Sequence, residues 1–260
     1  MHEVRDMEKM AVGRIVDLSS PNARQRTAGV HGDGFDVVGP QPGLQASMVG
    51  DTSYRAELYT VEDGWIETYS GVKLYFGAPT PAMLKLEDVA HVLPRLARYN
   101  GHTRRFYSVA EHTCLMRDWV AKQGGSPRDR LTALHHDDAE FIIGDLPRPI
   151  KHKMSQFKEV ESKLDQALAL RFFTEWPMPP WLKEIDGRIL KDERQQVMRR
   201  SDNEWGTDKL QELGVRLWAV RGRFQEWVRY EWLMRHVADT SALALQMGVP
   251  LWHLLDDPAT

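Results

Sequence analysis

Residues 126–144, SPRDRLTALHHDDAEFIIG, carry the marks of a helix with chemistry placed inside it. Ser126 is an N-cap type, and Asp129 sets an acid in the first turn. Pro127 suits the first helical position, where its missing N–H is not needed. Leu131, Leu134, Phe141 and Ile142 follow on one apolar face, and Gly144 stops the run. The pattern predicts one helix over 126–144 with His136 and Asp137 mid-way along it. Glu140 lies four residues after His136 and three after Asp137, which puts it on the same helical face.

Outward from this stretch the chain keeps a helical period. Leu86, Val89, Ala90, Leu93, Leu96 and Ala97 predict a helix from Lys85, kinked at Pro94. Ser108 and Glu111 have capping-box spacing and open a second helix through Val109, Leu115, Met116, Trp119 and Val120 to Gly124-Gly125. After 126–144, the run Asp145-Leu146-Pro147-Arg148-Pro149 reads as a loop that cannot be helical. Helices are then expected from Ser155 to about Phe173, Pro180 to about Arg200, Val220 to Ala238, and Ser241 to Met247. Trp65–Tyr69 and Val72–Phe76 flank Gly71 and resemble a short hairpin. The expected fold class is all-α, a helical bundle with a short N-terminal β-hairpin or irregular segment. Residues 1–58, rich in Gly and Pro, read as a loosely structured extension or oligomer-contact arm; 59–205 form the main domain, and 206–260 a C-terminal helical extension.

The chain has 260 residues, 42% of them hydrophobic, enough for one sizeable core. A net charge of −3 gives no global basic field, which argues against a nucleic-acid polymer as partner. An anionic small molecule would need a local cluster of positive charge. The single cysteine, Cys114, excludes an intrachain disulfide and fits a reducing, cytoplasmic setting. No apolar run approaches the roughly 18 residues of a spanning helix, and the N-terminus lacks a signal peptide's apolar core. Expected, then, is a soluble cytoplasmic protein with no membrane partner.

His112, His136, Asp137 and Asp186 sit in the best-formed expected helices, and neighbouring helices can converge such side chains on one point. Neutral imidazole with carboxylate is the donor set for divalent ions that handle phosphate, unlike the thiolates of structural zinc. Glu140 on the same face suits a proton handler. A lone His-Asp pair is more often a cap or a bridge. Spacing alone leaves His135 and His136 as alternatives, and Asp186 and Asp192 likewise. His2, His31, His236 and His253 read as ordinary surface or core residues.

Three ordered blocks carry a family likeness: Arg98-Tyr-Asn-Gly-His-Thr-Arg-Arg-Phe-Tyr-Ser-Val-Ala-Glu-His112, Ala133-Leu-His-His136-Asp137-Asp-Ala-Glu140, and Ile143-Gly-Asp145-Leu-Pro-Arg-Pro-Ile-Lys151. Together they resemble the HD-domain phosphohydrolases, in particular the branch that includes bacterial 5′-deoxynucleotidases and phage dATP triphosphohydrolases. The likeness covers about Trp65 to Arg200. It implies a divalent metal (Mn, Co, Zn, Mg or Fe) on His112, His136, Asp137 and Asp186. It selects Asp186 because Glu193 follows it by seven positions. By the same resemblance Glu140 is the catalytic acid–base, Asp145 orients water or binds a second ion, and Arg98 and Lys151 contact phosphate. Trp65, Phe76 and Pro79 are candidates to pack against a base. The implied activity is hydrolysis of a deoxynucleotide, of the dNTP triphosphohydrolase type, by a homo-oligomer. The alternatives are a nucleoside 5′-monophosphatase and, in another class, a non-catalytic metal- and nucleotide-binding regulatory module. The chain departs from the family pattern at Asp138, where a small residue is usual, and at Gly187 inside the ligand-bearing helix.

Overall fold

The structure, a computed structural model, describes residues 64–218 and 224–255; the extension expected over 1–58 and the start of the helix expected from Val220 lie outside them. The described chain is mostly helical with one two-stranded antiparallel sheet, so the all-α expectation with a small hairpin holds. β1 (Trp65–Glu67) pairs with β2 (Lys73–Tyr75), Ile66 opposite Leu74. The strands are shorter than their apolar runs because the turn consumes Thr68 to Val72. Thr68 N donates to Val72 O at 3.0 Å, and Gly71 takes a φ of 82°. Ser70 at the tip donates its N–H and its hydroxyl to Asp88, which ties the hairpin to α1 (Leu86–Val92).

α1 is shorter than expected, and a 3₁₀ turn over Leu93–Arg95 takes its place. Pro94 has no N–H for another α-helical bond, so the helix stops rather than kinks. α2 (Val109–Lys122) starts where Ser108 accepts a hydrogen bond from Glu111 N. α3 begins with the expected capping box, Ser126 and Asp129 exchanging hydrogen bonds, but spans only Pro127–His135.

The single helix expected over 126–144 is thus broken. Over 136–139 the bonds become i→i−3: Asp138 N to His135 O, Glu140 N to Asp137 O and Phe141 N to Asp138 O. Side chains intervene here, His136 Nδ1 taking the Ala133 carbonyl and Asp138 bonding His135. Such local bonds compete with the α-helical ladder. A one-turn α4 (Glu140–Ile143) resumes before Gly144. The loop expected over 145–149 is also corrected: Arg148 and Pro149 open a short helix, α5 (Arg148–Lys151), because proline is tolerated in a first turn.

α6 (Ser155–Phe172) and α7 (Pro180–Val197) follow close to expectation. On α7, a Cβ at Gly187 would meet the end of the Leu210 side chain at 3.1 Å. The glycine costs the helix about 1 kcal/mol relative to alanine. The two helices expected at 220–238 and 241–247 are one, α8 (Gln225–Met247), with α9 (Trp252–Leu255) after it. No break falls at Asp239-Thr240 because both are buried. The main core joins Leu74, Val89, Leu93, Val109, Leu134, Leu164 and the fully buried Trp232. A second cluster packs Tyr107 and Met116 against Leu182, Ile189 and Leu217. No described helix is long and apolar enough to cross a membrane.

Asp239 on α8 links three helices. It accepts from Arg117 Nε and Nη2 on α2 and from Arg130 Nε on α3, each at 2.7 Å. Removing a buried acid strands its cations. Asp239→Ala should lower the unfolding free energy by about 2–3 kcal/mol, read from urea midpoints.

Candidate metal centre

His112 lies in the first turns of α2 and is fully buried. Its Nδ1 sits 2.7 Å from Oε1 of Glu193 on α7. An ionised carboxylate only accepts, so Nδ1 carries a proton and Nε2 is left to face inward. His136, just past α3, is fixed in the same sense by a different partner. Its Nδ1 is 3.0 Å from the Ala133 carbonyl, which also can only accept. The two Nε2 atoms therefore confront one another at 3.3 Å.

Asp137 closes on the same point, and its ligand atom and those of the two histidines all lie within 4.8 Å of one another; Asp186 approaches His112 alone. Asp137 Oδ2 lies 3.5 Å from His112 Nε2 and 3.4 Å from His136 Nε2, and Asp186 Oδ1 lies 3.5 Å from His112 Nε2. Donor atoms about 2.1 Å from one tetrahedral divalent ion lie ~3.4 Å apart, so the spacings among His112, His136 and Asp137 suit a shared cation. The donor set and the inward lone pairs fit the group. In the metal-free protein a proton serves instead. Burial and the Arg98 charge pull the His112 pKa down, but Glu193 and Asp186 outweigh them and set it at about 9.

Glu193 anchors the wall of the site. Besides His112 it accepts from Tyr107 Oη at 2.8 Å, from Tyr99 Oη, and from Arg98 Nη2 at 3.4 Å. Burial opposes its charge, yet Arg98 and His112 hold its carboxyl at about 2. Three of these donors, Arg98, Tyr99 and Tyr107, come from one loop, whose Tyr99 and Asn100 adopt φ of 58° and 50°. Left-handed backbone costs a non-glycine residue roughly 1–2 kcal/mol. Bonds on each side hold it: Arg98 N to Tyr107 O at 2.9 Å, and Tyr99 N to Asp145 Oδ2 at 3.2 Å.

No family model matches the chain. It is 39% identical over 113 residues to an uncharacterized protein of Rhodobacter capsulatus, a match covering 42% of this chain and 58% of that protein. It is 28% identical over 141 residues to the uncharacterized protein YfdR of Escherichia coli, covering 54% of this chain and 76% of the relative. The chain thus spans less than two thirds of the first relative's length. Neither relative's name assigns a chemistry, so the site itself carries the functional reading.

The alternatives left open by spacing separate in space. His135 turns away from His112: its Nδ1 bonds Asp138 at 2.6 Å and its Nε2 bonds His236 at 2.9 Å. Asp192 accepts from Leu213 N at 2.7 Å and Val215 N at 3.0 Å, pinning a loop. Glu140 is buried with Oε2 lacking any partner among the described residues. Burial, then the Asp137 and Asp145 charges, pushes its carboxyl well above the usual range. Arg98 is buried, with Nη1 3.3 Å from Asp137. Lys151 pairs with Glu161, and the half-exposed Arg148 with Asp186. Trp65 and Phe76 stay on or beside the hairpin, where Lys73 Nζ lies 4.6 Å from the Trp65 ring and Phe76 packs on the main core. Sequence reasoning missed the roles of Tyr99, Tyr107 and Arg148; it used Glu193 only as a spacing mark.

The Glu193 carboxyl is lowered from 4.5, so its stabilisation is present above pH 4.5 and lost as pH falls through about 2. Glu193→Gln in EDTA should be less stable at neutral pH by on the order of 3 kcal/mol. That gap should close on acidification, as followed by urea unfolding across pH.

Proposed function

We propose that the chain is a divalent-metal-dependent phosphohydrolase of the HD type that cleaves a deoxynucleotide phosphoester, dNTP triphosphohydrolysis being favoured over 5′-monophosphate hydrolysis. One observation carries the metal part: two imidazole Nε2 atoms, each with its Nδ1 bonded to an obligate acceptor, face one another at 3.3 Å beside two carboxylates. The preference for a deoxynucleotide triphosphate rests on the motif resemblance.

His112, His136, Asp137 and Asp186 would hold the ion. When bound, the ion supplies Lewis acidity, polarising the phosphoryl oxygen and acidifying water. Glu140, reached by no other side chain at Oε2, is the group available to take the proton from the attacking water. Burial, then the Asp137 and Asp145 charges, push its carboxyl upward, so neutralising Asp137 would favour the ionised base. As the water attacks phosphorus, the bond from phosphorus to the leaving oxygen breaks, and that oxygen is protonated from Glu140 or solvent. Arg98 keeps its buried Nε without a partner among the described residues, a donor left for a phosphate oxygen. Asp145 holds the Tyr99 backbone and so fixes the loop that presents Arg98.

The test is a panel of dNTPs and dNMPs with Mn²⁺, Co²⁺, Mg²⁺ and Zn²⁺, products identified by mass. Release of triphosphate supports the favoured form, orthophosphate from dNMPs the rival, and no turnover across the panel sinks the hydrolase reading. Glu140→Gln should keep its metal by elemental analysis yet lose at least ~100-fold in kcat. Asp137→Ala should lose both.

A further inference from the structure

Arg148 stands at the solvent edge of the metal centre. The His112 and His136 side chains are sealed from solvent, whereas 19% of Asp137 and 12% of Asp186 remain exposed. Glu193 and Arg98, which back His112 and Asp137, are buried. An anion arriving from solvent therefore meets the two carboxylates first, and the half-exposed Arg148 is the cation paired to one of them. Asp186 is the one hydrogen-bond or ion-pair partner of its side chain among the described residues. No residue of α5 is buried, so core packing does not fix the side chain in place.

The other cations near the site are less free. Arg98 is held between Asp137 and Glu193, and Lys151 is engaged by Glu161. A guanidinium presents parallel N–H donors that match carboxylate and phosphate oxygens alike, so the fork that meets Asp186 can meet a phosphate. A divalent ion at Asp186 would share that carboxylate's charge and repel the guanidinium, while a bound phosphate would bring new negative charge to the same edge. We infer that Arg148 is an exchangeable phosphate clamp: it neutralises Asp186 until a divalent ion is held there, then turns its guanidinium onto a phosphate oxygen of the substrate. Metal binding and phosphate binding are thereby coupled, because Arg148 is available to the anion only once Asp186 is engaged. The inference rests on the metal centre proposed above, and it does not need the phosphoester to be cleaved.

Calorimetry on the full chain tests both halves of the exchange. Mn²⁺ should bind Arg148→Met about threefold tighter than the wild type, since a half-exposed ion pair is a weak competitor. Lys153→Met, which removes another exposed cation of the same segment, should bind Mn²⁺ as the wild type does. Orthophosphate should bind the Mn²⁺-loaded wild type saturably and Arg148→Met about tenfold more weakly. Arg148→Lys should fall between them, because an ammonium has no fork. In EDTA, wild type and Arg148→Met should bind orthophosphate alike, as Asp186 then holds the guanidinium. Melting temperatures should match throughout, neither residue being buried. Unchanged or weaker Mn²⁺ binding by Arg148→Met, equal orthophosphate affinity of the loaded proteins, or the same Arg148 effect in EDTA overturns the inference. The coupled binding without turnover in the nucleotide panel would keep the clamp and remove the hydrolase reading. Turnover with unaltered Mn²⁺ and orthophosphate binding in Arg148→Met would do the reverse.

Discussion

The buried hydrogen bond between Glu193 Oε1 on α7 and Nδ1 of His112 on α2, 2.7 Å long, decides which nitrogen of His112 faces Asp137 and Asp186. An isolated buried carboxylate is expensive, so its position is stable only if donors surround it. Tyr99, Tyr107, Arg98 and His112 supply them. The Arg98–Tyr107 loop is therefore not a passive connection. Its left-handed residues bring Tyr99 and Arg98 back onto Glu193, and the Ala97–Ser108 bridge closes it at the point where α2 begins. The cap of α2, the strained loop and the face of α7 thus meet at a single carboxylate.

The adjacent residues His135 and His136 illustrate a second constraint. They diverge because the helix tightens after α3, sending one ring to His112 and the other into the core. His135 packs against Phe172 and Trp232, and burial pulls its pKa down to about 3, leaving a neutral ring bonded to His236 of α8. The turn that presents His136 is in this way fastened to α8 from behind. A rigid supporting element is what a catalytic constellation needs to hold its geometry.

Much of this was legible in the sequence, for identifiable reasons. Ser126, Pro127 and Asp129 act on their own local backbone, and the start of α3 follows from them. Ser155 and Pro180 located α6 and α7 because each is a start signal that acts on its own local backbone. The break after His135 was not legible, since it depends on side chains outcompeting main-chain bonds, which period does not record. Asp186 and Asp192 share α7, and what separates them is distant in sequence: the N–H groups of Leu213 and Val215 engage one, and His112 lies beside the other. Motif order brought His112, His136, Asp137 and Asp186 into one list; the fold groups the first three, and Asp186 lies beside His112 alone.

Charge within the site is unbalanced in a directed way. Asp137, Glu140, Asp145, Asp186 and Glu193 gather around Arg98, Arg148 and Lys151, and Lys151 already serves Glu161. Burial first, and the neighbouring acids after it, raise Glu140 and Asp145, and a divalent cation would offset the acids' share. The cations differ in how readily they yield to one. Arg98 is buried and bridges Asp137 to Glu193, so displacing it would cost two carboxylates their shared buried cation. Arg148 is 52% exposed, and solvent screens its hold on Asp186. An arriving ion would therefore compete with Arg148 for Asp186 while Arg98 stays in place. An ion would then arrive from the side of the more exposed Arg148, not from that of the buried Arg98.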